Sequence, residues 1–191
     1  MNRTGVSIPS LVSLAGLFVV TAVALRIEGR VWWCEAGDRL PWSWDVWSRH
    51  CSQHLIDPYG LSHVCHGLVF WAVLRLVAPK WALGWKLVAS VAVASGWEIL
   101  ENSPIIIERY RSATMSLDYM GDSVVNALGD LLCCMAGFLV AQRVKMWWTL
   151  LIFVALEVIS LLWIRDNLCL NVVMLISPIE AVKQWQVGGA G

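Results

Sequence analysis

The chain has 191 residues, 58 % of them hydrophobic and 15 % charged, with 14 Lys and Arg balancing 14 Asp and Glu. A soluble domain carries about 25 % charge, so this surface cannot face water throughout; the apolar content excludes disorder, and the charge balance excludes a nucleic-acid binder of the usual basic kind. At about 20 apolar residues per crossing, the composition predicts an all-α, polytopic membrane bundle with room for five or six helices.

The first apolar stretch covers residues 9–25. Ala22-Val23-Ala24 offers a small-x-small signal cleavage site there, but Arg3 is the only charge ahead of an apolar run that is long for a signal peptide. A loop over 26–60 follows, in which Pro41 to Trp47 is expected as a short helix lying on the surface. Cys34 and Cys51 could pair there in an oxidising space. His50 and His54, with Asp57, could form the rim of a site, although an exposed loop histidine is more often incidental.

The second span is 61–78. His63 and His66 open it three residues apart, so both imidazoles lie on one helix face. That spacing suits a shared metal, or two separate hydrogen bonds to neighbouring helices. The third span, 84–100, ends in Trp97-Glu98-Ile99-Leu100-Glu101-Asn102-Ser103-Pro104. Glu98 and Glu101 repeat the spacing, and Pro104 is expected to end or kink the helix. Two carboxylates this close call for a cation, either a metal or histidine, or Arg109 and Arg111 in a structural pairing.

Asp118, Asp122, Asn126 and Asp130 recur every four residues around the start of the fourth span, 124–140. Were the helix to begin near Asp118, they would form one polar stripe. Such groups are costly in a membrane and predict an internal polar cavity. Gly121 and Gly129 are expected to admit a close helix neighbour. The fifth span, 147–164, contains Glu157, which could pair with a histidine or Ser160, or be protonated and silent. Arg165-Asp166-Asn167 follows its outer end. Residues 168–176 are too short to cross and are expected as an interfacial or re-entrant helix, followed by an amphipathic tail over 178–186 and a frayed Gly-rich end. Cys65, Cys133 and Cys134 read as packing residues. No C-x-x-C pair, P-loop or nucleophile elbow is present.

Segments 1–8, 75–86 and 142–146 hold Arg3, Arg75, Lys80, Lys86, Arg143 and Lys145 and no acid. Purely basic short loops belong in the cytoplasm, which predicts the N-terminus inside, the C-terminus outside and the 26–60 loop in the periplasm. Many of the 13 Trp fall near predicted span ends, Trp97 among them, as in an aromatic belt. No repeat or linker divides the chain, so 1–191 is expected to be one membrane domain.

Several motifs look familiar. Gln53-His54, Ser62-His63, His66-Gly67, the 97–104 run, Arg109-Tyr110-Arg111, Ser116-Leu117-Asp118-Tyr119, Gly121-Asp122-Ser123, Ile164-Arg165-Asp166-Asn167 and Leu170-Asn171 resemble a bacterial family of multi-pass inner-membrane proteins. That family is catalogued as uncharacterised, with a domain of unknown function. The resemblance covers about residue 50 to the C-terminus and implies an inner-membrane location without an activity. Asp122-Ser123-x-x-Asn126-x-x-Gly129-Asp130 also resembles, loosely, small VanZ-like membrane proteins.

The polar residues support two expectations. In the first, an outward-facing cavity is a metal-dependent hydrolase or transferase site for a lipid-linked substrate. His63, His66, Glu98 and Asp122 would hold zinc, manganese or iron. Glu98, Glu101, Asp122 and Asp130 would supply acid and base chemistry, and Arg109, Arg111, Asn126, Arg165 and Asn167 would bind the substrate. In the second, the same groups form a non-enzymatic lipid-head-group or proton-binding site within a structural polar network. Membrane lipids are the expected partners, with no nucleic acid; no protein partner is identifiable.

Overall fold

A computed structural model describes residues 5–114 and 119–188. Arg3, Ser116 to Asp118 and the closing Gly-rich residues lie outside the described residues. Among those described there are eight helices: α1 Ile8–Ile27, α2 Gly60–Val77, α3 Leu83–Glu101, α4 Pro104–Ala113, α5 Val124–Arg143, α6 Met146–Ile164, α7 Leu168–Ile176 and α8 Glu180–Val187. Five of them (α1, α2, α3, α5 and α6) are long and apolar enough to cross a membrane. They match the five expected spans. Their outer faces carry exposed Val12, Val19, Val73, Leu132, Leu151 and Leu162, as a lipid-facing surface requires.

Helices α2 and α5 form the central pair, α1 lies against α3 and α5, and α6 against α2. Leu14, Leu87, Val91, Ala94, Leu131, Cys134 and Phe138 fill the centre. Since lipid tails are as apolar as leucine, such helices associate through close packing and polar contacts. Thr21 and Ser95 supply one such contact, a 2.6 Å hydrogen bond between α1 and α3. Helices α2 and α5 approach most closely at Gly67 and Gly137. A Cβ on Gly67 would lie 2.0 Å from the Cys134 carbonyl oxygen, and one on Gly137 2.1 Å from that of Val64. The glycines singled out in the sequence do something else. Gly129 accommodates the Leu55 backbone of the loop, and Gly121 takes a positive φ of 91° in the turn before α5.

That turn corrects the four-residue stripe. Helix α5 starts at Val124, because the Ser123 hydroxyl accepts from the Asn126 N–H and caps it. Asp122 therefore precedes the helix, and only Asn126 and Asp130 lie on it. The first turn of a helix leaves its N–H groups without intrahelical partners. Here the 26–60 loop covers that end: Ser123 N–H donates to Ser52 O, Val124 N–H to Val31 O and Val125 N–H to Trp32 O. The Asn126 amide donates to His54 O at 2.7 Å. Pro41 to Trp47 forms no helix. It runs irregularly beside Ile56, exchanging two backbone hydrogen bonds through Ser43 N–H and Pro41 O.

Asn102 ties the end of α3 to this turn. Its Nδ2 donates to Asp122 Oδ2 at 2.8 Å, and its Oδ1 accepts from the Asp122 N–H. Removing one partner of a buried pair costs about 1–3 kcal/mol. N102A is therefore expected to lower the thermal midpoint in detergent by that equivalent. An unchanged midpoint would contradict the tie.

Pro104 opens α4, a helix not expected in the 102–121 segment, while α7 and α8 occupy the places expected for the interfacial helix and amphipathic tail. Glu157 caps α7 from inside the fifth span, accepting from the N–H groups of Leu168 and Cys169, each at 3.0 Å. A carboxylate at a helix N-terminus is favourably placed. Its hydrogen bonds thus go to backbone N–H groups and the Cys169 thiol rather than to a histidine or Ser160, although its charge also acts on His66.

Candidate functional site

At the end of the bundle where α2 and α5 begin and α3 ends, a cavity of about 170 Å³ opens. His63, His66, Glu101 and Asp130 line it from the spans. Ser52, Tyr59, Tyr110, Tyr119 and Asp122 line it from the connections, and Asn171 from α7. Trp97, expected in an aromatic belt, forms part of the wall.

Glu98 lies behind this lining and is fully buried. Its Oε1 is 3.3 Å from His63 Nδ1, while Asp130 Oδ2 is 3.9 Å from the other ring nitrogen. Despite the short distance, His63 Nδ1 and both Glu98 oxygens have no hydrogen-bond partner among the described residues, so this contact lacks hydrogen-bonding geometry. One ligand atom each from His63, Glu98 and Glu101 can be chosen so that all three lie within 4.8 Å. The wider cavity brings His66 and Asp122 to the same space but not into that set. His66 lies edge-to-face with His63, ring centroids 5.2 Å apart, and stacks on Phe70. Asp122 accepts from Asn102 and, through Oδ1, from the Tyr119 hydroxyl at 2.8 Å.

The proposed substrate-binding residues are elsewhere. Arg109 donates to the carbonyls of Leu175 and Ile176, Arg111 to that of Tyr119, and Arg165 to that of Trp185. Helix ends and turns leave carbonyls unsatisfied, and guanidinium groups fill them. Neither Arg109 nor Arg111 pairs with Glu98 or Glu101. Asn126 holds the His54 carbonyl, and Asn167 is the N-cap of α7. None of these five lines the cavity.

His50, His54 and Asp57 do not form its rim. Asp57 accepts from the N–H groups of Tyr59 at 2.8 Å, Ser52 at 3.0 Å and Gly60 at 3.3 Å, which anchors the start of α2. All six cysteines are free, so Cys34 and Cys51 are not bridged. Cys34 instead lies against His50, 3.3 Å from its Nδ1.

Burial, reinforced by the charge of Asp122, pushes the Asp57 carboxyl up to about 6 against the opposing N–H bonds. Burial does the same to Asp166. Between the ordinary value of 3.8 and about 6, the folded protein thus binds more protons than the unfolded chain. The resulting stability is full below the ordinary value and is lost as pH rises through the folded value. The thermal midpoint in detergent is expected to fall between pH 4 and 6, less steeply in D57N; equal slopes would contradict the assignment.

Residues 25–188 match the family model described as "Protein of unknown function (DUF2585)". The match includes the Trp-rich loop, beyond the region expected from motifs alone. The UPF0314 protein of Sphingopyxis alaskensis is 44 % identical over 185 residues, covering 97 % of this chain and 98 % of that one. Those of Paracoccus denitrificans and Brucella anthropi are 46 % and 44 % identical, covering 89 % and 94 % of this chain and 88 % and 90 % of theirs. The comparisons give the VanZ-like resemblance no support. No solved structure matches the chain.

Proposed function

This chain belongs to the UPF0314 family, and from the geometry of its cavity we propose that it is a metal-dependent membrane hydrolase acting on a lipid-linked ester or phosphate. The observation that carries this reading is the fully buried Glu98 carboxylate, with both oxygens lacking hydrogen-bond partners among the described residues, beside His63 and Glu101. A buried ionised carboxylate is costly unless paired or coordinated. The 3.3 Å between His63 Nδ1 and Glu98 Oε1 matches the roughly 3.3 Å edge of a tetrahedral site with ligands at about 2.0–2.1 Å. Asp130 lies 3.9 Å from the opposite ring nitrogen, beyond hydrogen-bond distance but on the side from which a carboxylate orients a ligating imidazole.

The mixed imidazole and carboxylate set suits zinc, manganese or iron. The ion would lower the pKa of a bound water. Asp122, which lines the cavity outside the three-ligand set, or Glu101 would be placed to accept that water's proton. The leaving oxygen would regain a proton from the same acid or from a tyrosine hydroxyl. No Lys or Arg among the described residues lines the cavity, so the metal would be the group that holds an anionic head group. On this reading the cavity faces away from the cytosol of a bacterial inner membrane, with the N-terminus inside.

The same lack of cavity cations favours one alternative, in which protons rather than a metal neutralise the carboxyls and the site binds protons or a neutral head group. The test is detergent-purified protein supplied with Zn²⁺, Mn²⁺ or Fe²⁺ and a bacterial lipid extract. Metal-dependent release of head group, lost in E98Q and E101Q, is expected. Stoichiometric metal without turnover would defeat the enzymatic reading, and no metal at the cluster would favour the alternative.

A further inference from the structure

We propose that Cys34, His50 and His54, in the loop between α1 and α2, form a second transition-metal site, of the zinc class. The three residues lie outside the cavity. Their ligand atoms all lie within 4.8 Å of one another. His50 Nδ1 is 3.3 Å from Cys34 Sγ and 3.3 Å from His54 Nε2. A tetrahedral zinc with one thiolate and imidazole ligands has edges of about 3.3–3.6 Å, given Zn–S near 2.3 Å and Zn–N near 2.0–2.1 Å. The two His50 distances lie at the short end of that range, and the third pair is within 4.8 Å.

The surroundings orient the ligands. His54 Nδ1 is 2.6 Å from the Leu40 carbonyl oxygen, so that nitrogen carries the proton and the Nε2 lone pair turns to the cluster. This is the arrangement that fixes the tautomer of a ligating histidine. Trp33 lies edge-on to the His54 ring, and both His54 and Cys34 are buried. His50 is half-buried, which leaves a route for the ion and a position for water or a fourth ligand.

A clip here has a structural consequence. Cys34 and His50 are sixteen residues apart in a loop without helix or extended sheet, and the His54 carbonyl holds Asn126 in the first turn of α5. Metal at the clip would fix the loop that covers the α5 terminus and supplies Ser52 to the cavity.

The two sites are separable because the His63, Glu98 and Glu101 cluster has no thiol. Reduced, chelator-stripped protein in detergent is reloaded with Co²⁺, whose thiolate complexes absorb by charge transfer in the near-ultraviolet. Wild-type protein is expected to develop this band, saturating within about two equivalents when the cavity cluster also takes Co²⁺. C34S should lack it, H50A should need at least about tenfold more Co²⁺, and E98Q should keep it. H50A alters a half-buried ring and serves as the second variant should C34S fail to fold. No band in reduced wild-type protein, or full-affinity binding in either loop variant, would overturn the proposal. A band in wild-type protein with no metal at the His63, Glu98 and Glu101 cluster would instead count against the cavity reading alone.

Discussion

Alanine at Gly67 or Gly129 is expected to abolish or severely destabilise the folded bundle, whereas G96A leaves it intact. A Cβ at Gly67 would lie 2.0 Å from Cys134 O and 2.6 Å from Phe138 N, and one at Gly129 would lie 1.9 Å from Leu55 O. These neighbours are backbone atoms within a helix and a pinned loop, so no side-chain rotation can relieve the overlap. Overpacking commonly costs about 1–3 kcal/mol, and backbone clashes of this depth belong at or above the upper end. Gly96 has nothing within 4 Å of an added Cβ. There alanine should be neutral or raise helix stability by about 0.5–1 kcal/mol. Thermal midpoints and monodisperse yield in detergent separate the cases; a G67A protein as stable as wild type would contradict the close crossing of α2 and α5.

The second large effect is expected at Glu98, where stability and metal affinity should move in opposite directions. A buried carboxylate without hydrogen bonds destabilises a metal-free fold. Replacing it with neutral glutamine in E98Q should leave the stripped protein at least as stable as wild type. The same change removes one of three candidate ligands and should weaken Zn²⁺ at the cluster by about 100-fold or more. The measurement is best made in a C34S background, so that the loop cluster does not contribute. A merely structural role for Glu98 predicts the reverse: a lower midpoint and unchanged metal affinity.

The membrane spans were legible because hydropathy over a bilayer thickness is a local property. The cavity was legible for a related reason. Glu98, Glu101, His63, His66 and Asp130 are too costly in apolar helices to be scattered without partners, and they do converge. What escaped the sequence depends on tertiary partners. The start of α5 is set by the Ser123 cap and the positive φ of Gly121, not by the four-residue rhythm that runs past them. Arg109, Arg111 and Arg165 looked like anion holders, yet each is taken by a carbonyl from a distant segment or a nearby turn.

Gly67 and Gly137 each sit in an apolar span where a glycine alone gives no hint of its neighbour. Their close crossing becomes visible only once α2 and α5 are placed together. The Cys34–His50–His54 cluster escaped for a similar reason: an irregular loop has no periodicity to show that a cysteine and two histidines meet. His50 and His54 are visible in the sequence as a pair, but nothing in their spacing brings in Cys34, which could equally pair with Cys51.

The most direct test of the metal reading is X-ray absorption at the zinc edge on C34S protein loaded with one equivalent in detergent. The expected result is a bound ion surrounded by nitrogen and oxygen at about 2.0–2.1 Å, with the signal lost in the C34S/E98Q double variant. A sulfur neighbour, an ion that washes away, or a spectrum unchanged by E98Q would contradict it.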